Sequence, residues 1–121
     1  MSQPKQSFGQ RGEQLAVNHL TSQGYTITTT NWHCRYGEID IIARQATTIV
    51  FVEVRTRHAD LTDAAFASIS QRKRERLIRA VHVYLANHHL EESLWRVDVI
   101  AIAFPPSGKP VIQHVLDALD W

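Results

Sequence analysis

Apolar positions recur along this chain with two different periods, and the switches between them mark its elements. Between residues 8 and 22, Ala16, Val17 and Leu20 follow Glu13 at i+3, i+4 and i+7, the spacing of one helical face. That places Glu13 near the middle of the inward stripe, with Gly9 and Gly12 close to the same face. Gly24 supplies a helix stop. Tyr25 to Thr30 is rich in β-branched residues and predicts a strand, followed by a connection from Asn31 to Gly37 holding Trp32, His33, Arg35 and Tyr36. Two strands come next, over roughly 38–44 and 48–56, and then a loop or short helical turn over 57–69. Ser70 is a natural N-cap for a long helix whose buried stripe is Leu77, Val81, Tyr84, Leu85 and His88. Trp95 to Phe104 is an apolar strand, Pro105-Pro106-Ser107-Gly108 a turn, Val111 to Val115 a last short strand, and Leu116 to Trp121 a tail without clear form.

The order α-β-β-β-α-β-β predicts an α/β domain with a mixed central sheet flanked by helices, because hairpin-linked strands precede a helical crossover. With 121 residues, 44% of them hydrophobic, the chain suits one domain with a polar N-terminal tail over residues 1–7. No apolar run nears the roughly 20 residues that span a bilayer, so no membrane partner is expected. Cys34 is the lone cysteine, which excludes an intramolecular disulfide and suits the cytoplasm.

The strands at 38–44 and 48–56 carry the chemistry. A hairpin centred between Ala46 and Thr47 pairs residues whose numbers sum to 93, so Asp40 faces Glu53 and Glu38 faces Arg55. Opposed side chains in an antiparallel pair lie about 5 Å apart at Cβ. Two carboxylates at that range repel by roughly 3 kcal/mol at an effective dielectric of about 20. A proton, a basic side chain or a divalent cation can neutralise them, and we favour the cation. In this register Ile39 and Ile41 share one face, opposite Glu38, Asp40 and Ile42, while Glu53 and Arg55 project together. A plainer arrangement remains open, with the acids paired to Arg55 and Arg57.

Net charge is only +1, but its distribution is uneven. Arg72, Lys73, Arg76 and Arg79 crowd the start of the long helix, beside the acidic pair, a layout that suits a polyanion held against bound metal. Trp32 and Tyr36 could stack on bases. Asp98, in an apolar strand, is expected to form a buried salt bridge or a cap. His88-His89 lacks zinc-site spacing, and no phosphate-cradling glycine motif occurs.

Glu13 on the first helix, then Gly37-Glu38-Ile39-Asp40, then Phe51-Val52-Glu53-Val54-Arg55-Thr56-Arg57 and the basic helix resemble the YraN-like bacterial proteins. Those are similar in turn to the PD-(D/E)XK nucleases, including archaeal Holliday junction resolvases. The resemblance covers about residues 8–115. It implies a restriction-endonuclease-like fold, with Asp40, Glu53 and the Val54 backbone carbonyl as ligands for Mg²⁺ or Mn²⁺. It also implies that Glu13 is an accessory acid and that Arg55 occupies the position of the catalytic lysine. Ile39 replaces the proline that precedes the aspartate in that superfamily. Arg55 is the weightier departure, since a guanidinium stays protonated and cannot take a proton from water. The expected function is a metal-dependent endonuclease acting on nucleic acid, with DNA favoured. Two other readings stay open: a nucleic-acid-binding module with a degenerate site, and a protein-interaction domain, such as a homodimer, with a structural acidic hairpin.

Overall fold

The computed structural model describes residues 6–118, so the first five residues of the polar tail and residues 119–121 lie outside it. Helix α1 (Phe8–Ser22) starts at a reciprocal capping box. Ser7 Oγ accepts from the Gln10 N–H at 3.2 Å, and the Gln10 side chain accepts from the Ser7 N–H at 2.8 Å. Strands β1 (Thr26–Cys34), β2 (Gly37–Gln45) and β3 (Thr48–His58) form an antiparallel meander. The short helix α2 (Asp63–Ala67) and the long helix α3 (Gln71–Asn87) carry the chain over to β4 (Trp95–Phe104), which runs parallel to β3. Strand β5 (Val111–Val115) closes the sheet antiparallel to β4. The spatial order is β1-β2-β3-β4-β5, one mixed sheet in a single α/β domain, and α2 is the only addition to the expected order.

The sheet is covered on both faces. On one, Ala16 and Leu20 of α1 pack with Ile41, Val52, Ile100 and Ile102. On the other, Leu77, Val81, Tyr84 and Leu85 of α3 pack with Ile42, Phe51 and Val97. The stretches 49–52 of β3 and 99–104 of β4 therefore read as continuous apolar runs, as expected of strand segments buried on both faces. Ser70 caps α3 as its sequence predicts, its Oγ accepting from the Lys73 N–H at 3.2 Å. No helix among the described residues is long and apolar enough to cross a membrane.

Four local expectations are corrected. The connection after Thr30 is mostly strand: β1 runs to Cys34, leaving only Arg35-Tyr36 as a tight turn, and Trp32 packs edge-on against Tyr84. Strand β3 continues to His58, because β4 goes on pairing with it after β2 has left. His88 is exposed and stacks on Tyr84, while Ala80 takes the buried place on α3. Finally, Ile39 and Ile41 do not share a face. Ile39 packs with Ile42 and Leu77 under α3, and Ile41 packs under α1. Within β1, Asn31 takes a left-handed φ of 53°. The β1–β2 ladder keeps one register from Thr29↔Ile42 to Cys34↔Gly37 and shifts only between Ile27 and Thr29, so the change of face falls within β2, between Ile39 and Ile41.

Helix α1 sits close against β3 because of one missing side chain. A Cβ on Gly12 would overlap the Thr56 methyl, which is itself buried. Gly12→Ala should therefore destabilise the protein by about 1–3 kcal/mol, the usual cost of overpacking, despite the better helix propensity of alanine. Thr56→Ser removes the obstructing methyl. In thermal melts the double variant should recover to near the wild type, and a double variant as unstable as Gly12→Ala alone would contradict this account of the contact.

Candidate active site

The site begins where two strands part. The ladder between β2 and β3 runs from Gln45↔Thr48 to Ile41↔Val52, each pair summing to 93 as the hairpin register requires. Beyond Val52, β3 pairs only with β4, and β2 turns away. The fork leaves a backbone N–H of β3 without a ladder partner, and a buried N–H must find one. Asp40 provides it, its Oδ2 accepting from the Val54 N–H at 2.8 Å. Asp40 also feels the charge of Glu53, which faces it. The opposed acids meet.

A pocket of about 320 Å³ opens over them, lined on its floor by Asp40, Glu53 and Val54 and on its wall by Lys73, Arg76 and Leu77 of α3. Glu38 and Arg55 line it as well. Burial pushes Asp40 up to about 8, and the facing Glu53 adds to the rise, with smaller contributions from Glu38 and Glu13. The Val54 N–H works against this and loses. Glu53 is also raised by burial, but Arg55 and Lys73 oppose the shift. The two acids thus behave as a pair that keeps one proton near neutral pH, held mainly on Asp40, as expected for like charges in a shared dry site.

Arg55 reaches Glu53 on its own strand, Nη1 to Oε1 at 3.5 Å. Its Nε donates to Ser68 Oγ at 2.9 Å, and that hydroxyl donates to the Ala65 carbonyl at 2.6 Å. The expected pair between Glu38 and Arg55 does not form, because β2 has already left β3 at that level. Glu38 lies instead 3.7 Å from His33 on β1. Arg57 turns back to the Thr56 carbonyl at 2.6 Å and takes no part in the acid pair. Glu13 stands at the edge of the site rather than in the lining of the pocket. Its Oε1 accepts from Asn31 Nδ2 at 2.6 Å, and burial, offset by that bond, raises its pKa.

The basic residues divide along α3. Lys73 and Arg76 line the acidic pocket, and Arg76 Nε also donates to the Tyr36 carbonyl at 3.0 Å. Arg72, Arg76 and Arg79 line a neighbouring pocket of about 270 Å³ with Arg35 and Tyr36. Arg35 and Arg79 lie over the Tyr36 ring, at 4.8 and 5.8 Å from its centroid. Asp98 belongs elsewhere. It is fully buried, salt-bridged to Arg96 at 2.9 Å and hydrogen-bonded to His114 at 2.8 Å, and it accepts from the Asp117 N–H at 2.9 Å. Burial alone would raise its pKa, but those three donors hold it below the ordinary carboxylate value.

Sequence reasoning missed two participants. Asn31 left one trace, an asparagine inside a β-branched run, the residue type most tolerant of positive φ apart from glycine. Ser68 left none. Lys73, expected to contact phosphate, lies one turn before the buried Leu77, which brings it to the wall of the acidic pocket.

Among the described residues no three His, Cys, Asp or Glu side chains converge on one point. The hard-oxygen donors available to a cation are therefore two carboxylates, with Val54 beside them. That set fits Mg²⁺ or Mn²⁺, which hold several waters and need few protein ligands. The buried acid pair, short of one positive charge, is the feature of this site that such an ion would complement.

Comparison with known proteins fixes the family. Residues 12–102 match the model of the uncharacterised protein family UPF0102. The chain belongs to that family. A UPF0102 protein of Chloroflexus aurantiacus is 47% identical over 120 residues, covering 98% of each chain. One from Mycobacterium marinum is 41% identical over 114 residues and 93% of each chain. One from Geotalea uraniireducens is 39% identical over 114 residues, covering 94% of this chain and 90% of its own. The family assignment agrees with the YraN-like resemblance of the motifs. The matched span includes Asp40, Glu53 and the whole of α3.

The raised carboxyl of Asp40 links stability to pH. In the unfolded chain this group loses its proton near 3.8, whereas in the folded protein it keeps it up to about 8. The folded state binds more protons across that window, so metal-free stability should fall as pH rises from about 4 and level off above about 8. In Asp40→Asn the amide can still accept from the Val54 N–H and donate to Glu53, without the repulsion. Urea unfolding should show Asp40→Asn more stable than wild type by roughly 1–3 kcal/mol at pH 8.5, the order of the pair repulsion, with no such gain near pH 4. An equal difference at both pH values would disprove the shared proton.

Proposed function

We propose that this protein is a metal-dependent endonuclease that hydrolyses phosphodiester bonds in nucleic acid, DNA being the favoured substrate. One observation carries the reading: a half-buried pair of facing carboxylates, Asp40 and Glu53, forms the floor of a pocket whose wall is the basic start of α3. Perturbed acids in a cleft beside a specific set of charges are a mark of functional sites. The similarity of the motifs to the PD-(D/E)XK nucleases supports the same assignment.

Asp40 and Glu53, with the Val54 carbonyl, are the groups that would hold Mg²⁺ or Mn²⁺. When bound, such an ion supplies charge stabilisation at the phosphate and lowers the cost of generating the attacking hydroxide. The chain itself does the rest. Lys73 and Arg76 draw the phosphate to the pocket and offset its developing charge. Arg72 and Arg79 with Tyr36 hold the neighbouring backbone, since the rings and guanidinium groups there suit a flanking nucleotide. The bond from phosphorus to one ester oxygen breaks as the water oxygen bonds to phosphorus, and the water's protons are shared between solvent and the departing hydroxyl. Glu13, tied to Asn31 at the edge of the site, would influence the acids through its charge. The lone Cys34 suits a protein of the reducing cytoplasm.

A second reading has its own support. Arg55 holds the place of the lysine in the superfamily pattern, and a guanidinium cannot exchange a proton at that point. If that exchange is indispensable, the protein binds nucleic acid and metal without cutting.

Calorimetric titration of the metal-free protein with Mn²⁺ should show one site that Asp40→Asn or Glu53→Gln abolishes, and Mn²⁺-dependent cleavage of plasmid DNA should disappear with it. Wild-type protein that takes up no Mn²⁺ removes the proposal. Binding without cleavage selects the second reading.

Contacts to the nucleic-acid backbone are counted by salt. In Ca²⁺, log–log plots of DNA affinity against salt should fall with a slope of about −0.9 per phosphate contact. Arg72→Ala combined with Arg79→Ala should flatten that slope by nearly two units. An unchanged slope would make those arginines a merely solvated face.

A further inference from the structure

We infer that Lys73, and not Arg55, is the cation that contacts the scissile phosphate, and that Arg55 is a positioning residue that holds Glu53 in place. This rests on the nuclease reading above and departs from the assignment that the motif pattern alone implies.

The two cations are held very differently. Arg55 is engaged on both sides. Its Nη1 lies against Glu53 and its Nε is bonded to Ser68, whose own hydroxyl is anchored on the Ala65 carbonyl in α2. Only 17% of its side chain is exposed. To reach a phosphate, Arg55 would have to give up both partners and leave the Ser68 hydroxyl without its donor. A side chain clamped by a helix on one side and an acid on the other fixes the orientation of that acid. This is the role that hydrogen-bonded outer groups play around metal ligands.

Lys73 is the complement. It is exposed, it lines the same pocket, and its charge acts on Glu53 across that pocket. Among the described residues it forms no ion pair. Its backbone is fixed, because the Ser70 cap holds the Lys73 N–H and Leu77, one turn on, is buried in the core. The stem is thus rooted at the rim while the ammonium is free to move, with three rotatable donors on a flexible chain. The neighbouring Arg76 is partly committed to the Tyr36 carbonyl. Lys73 is the least committed positive charge on the wall above the acids.

The test compares Lys73→Ala, Lys73→Arg, Arg55→Ala and Ser68→Ala in two readouts: Mn²⁺ affinity of the substrate-free protein by calorimetry, and the kcat and KM of Mn²⁺-dependent DNA cleavage. Lys73→Ala should leave Mn²⁺ affinity unchanged or tighter and lower kcat by about 100-fold or more, as loss of a transition-state donor does. Lys73→Arg should recover part of the rate. Arg55→Ala should weaken Mn²⁺ binding by about 10-fold or more, the usual effect of removing a group that orients a metal ligand. Ser68→Ala should move it the same way by less. Lys73→Ala that cuts at the wild-type rate overturns the assignment. So does Arg55→Ala that binds Mn²⁺ as well as, or better than, wild type. Wild type that binds no Mn²⁺ overturns the nuclease reading itself, and this inference with it. If wild type binds Mn²⁺ without cutting, Mn²⁺-dependent DNA affinity replaces kcat, and an affinity unaffected by Lys73→Ala rejects the contact.

Discussion

Two carboxylates brought together inside a sheet are an unfavourable arrangement, and the local architecture is organised around it. Asp40 and Glu53 lie one step past the last ladder pair, Ile41↔Val52, where the parting strands still leave them facing each other, and the covered faces of the sheet hold them away from much of the solvent. Each neighbouring irregularity touches this pair. The strands fork just beyond Ile41↔Val52, giving Asp40 a backbone N–H to accept from. Asn31 takes a left-handed conformation beside Asp40 and engages Glu13. Helix α2, a single turn with little core of its own, ends in the serine that anchors Arg55. The fork and the left-handed Asn31 cost regular strand geometry, while α2 contributes only Ala65 and Phe66 to the packing. A sheet built only for stability has no use for them.

Asp98 shows what a purely structural buried acid looks like in the same sheet. It is entirely enclosed, yet Arg96, His114 and the Asp117 N–H saturate its oxygens, and its pKa falls. Asp40 is not fully enclosed, receives one backbone donor, faces another acid, and its pKa rises to about 8. Same residue type, same sheet, opposite electrostatic outcome. Burial does not distinguish the two; compensation does. An acid left short of positive charge at the floor of an open pocket can accept a cation from solution, whereas Asp98 has no capacity left for one.

How much of this was legible in the chain follows from which contacts are local. The hairpin register could be computed because a two-residue loop at Ala46-Thr47 leaves no freedom, and every pair observed keeps the sum of 93. The long helix and its cap could be read from Ser70 and the apolar spacing that follows. The strand Trp95–Phe104 announced itself by its strongly apolar run, interrupted only by Arg96 and Asp98. The alternation in β2 misled, because periodicity assumes a regular strand and β2 changes face between Ile39 and Ile41. The pairing of Glu38 with Arg55 misled for a related reason: register fixes who stands opposite whom only while the ladder lasts, and the fork ends it. The link from Arg55 to Ser68 joins a strand to the end of a short helix, and no periodic signal reports such a contact. Lys73 was readable as part of the basic start of α3, and its place on the wall above the acids follows from Leu77, buried one turn later.

The arginine at the lysine position changes meaning in this setting. Considered as a motif letter, it argues against catalysis, because a guanidinium cannot lose its proton. Considered as a side chain with partners, it is a strut between α2 and Glu53, with little freedom to touch a substrate at all. A fixed planar fork is better suited than an ammonium to hold two acceptors at once. On the nuclease reading proposed above, the mobile positive charge comes from a different element, since α3 brings Lys73 to the rim of the same pocket. The identity of one motif residue is therefore weak evidence against function here, and the arrangement of charges around Asp40 and Glu53 is the stronger guide.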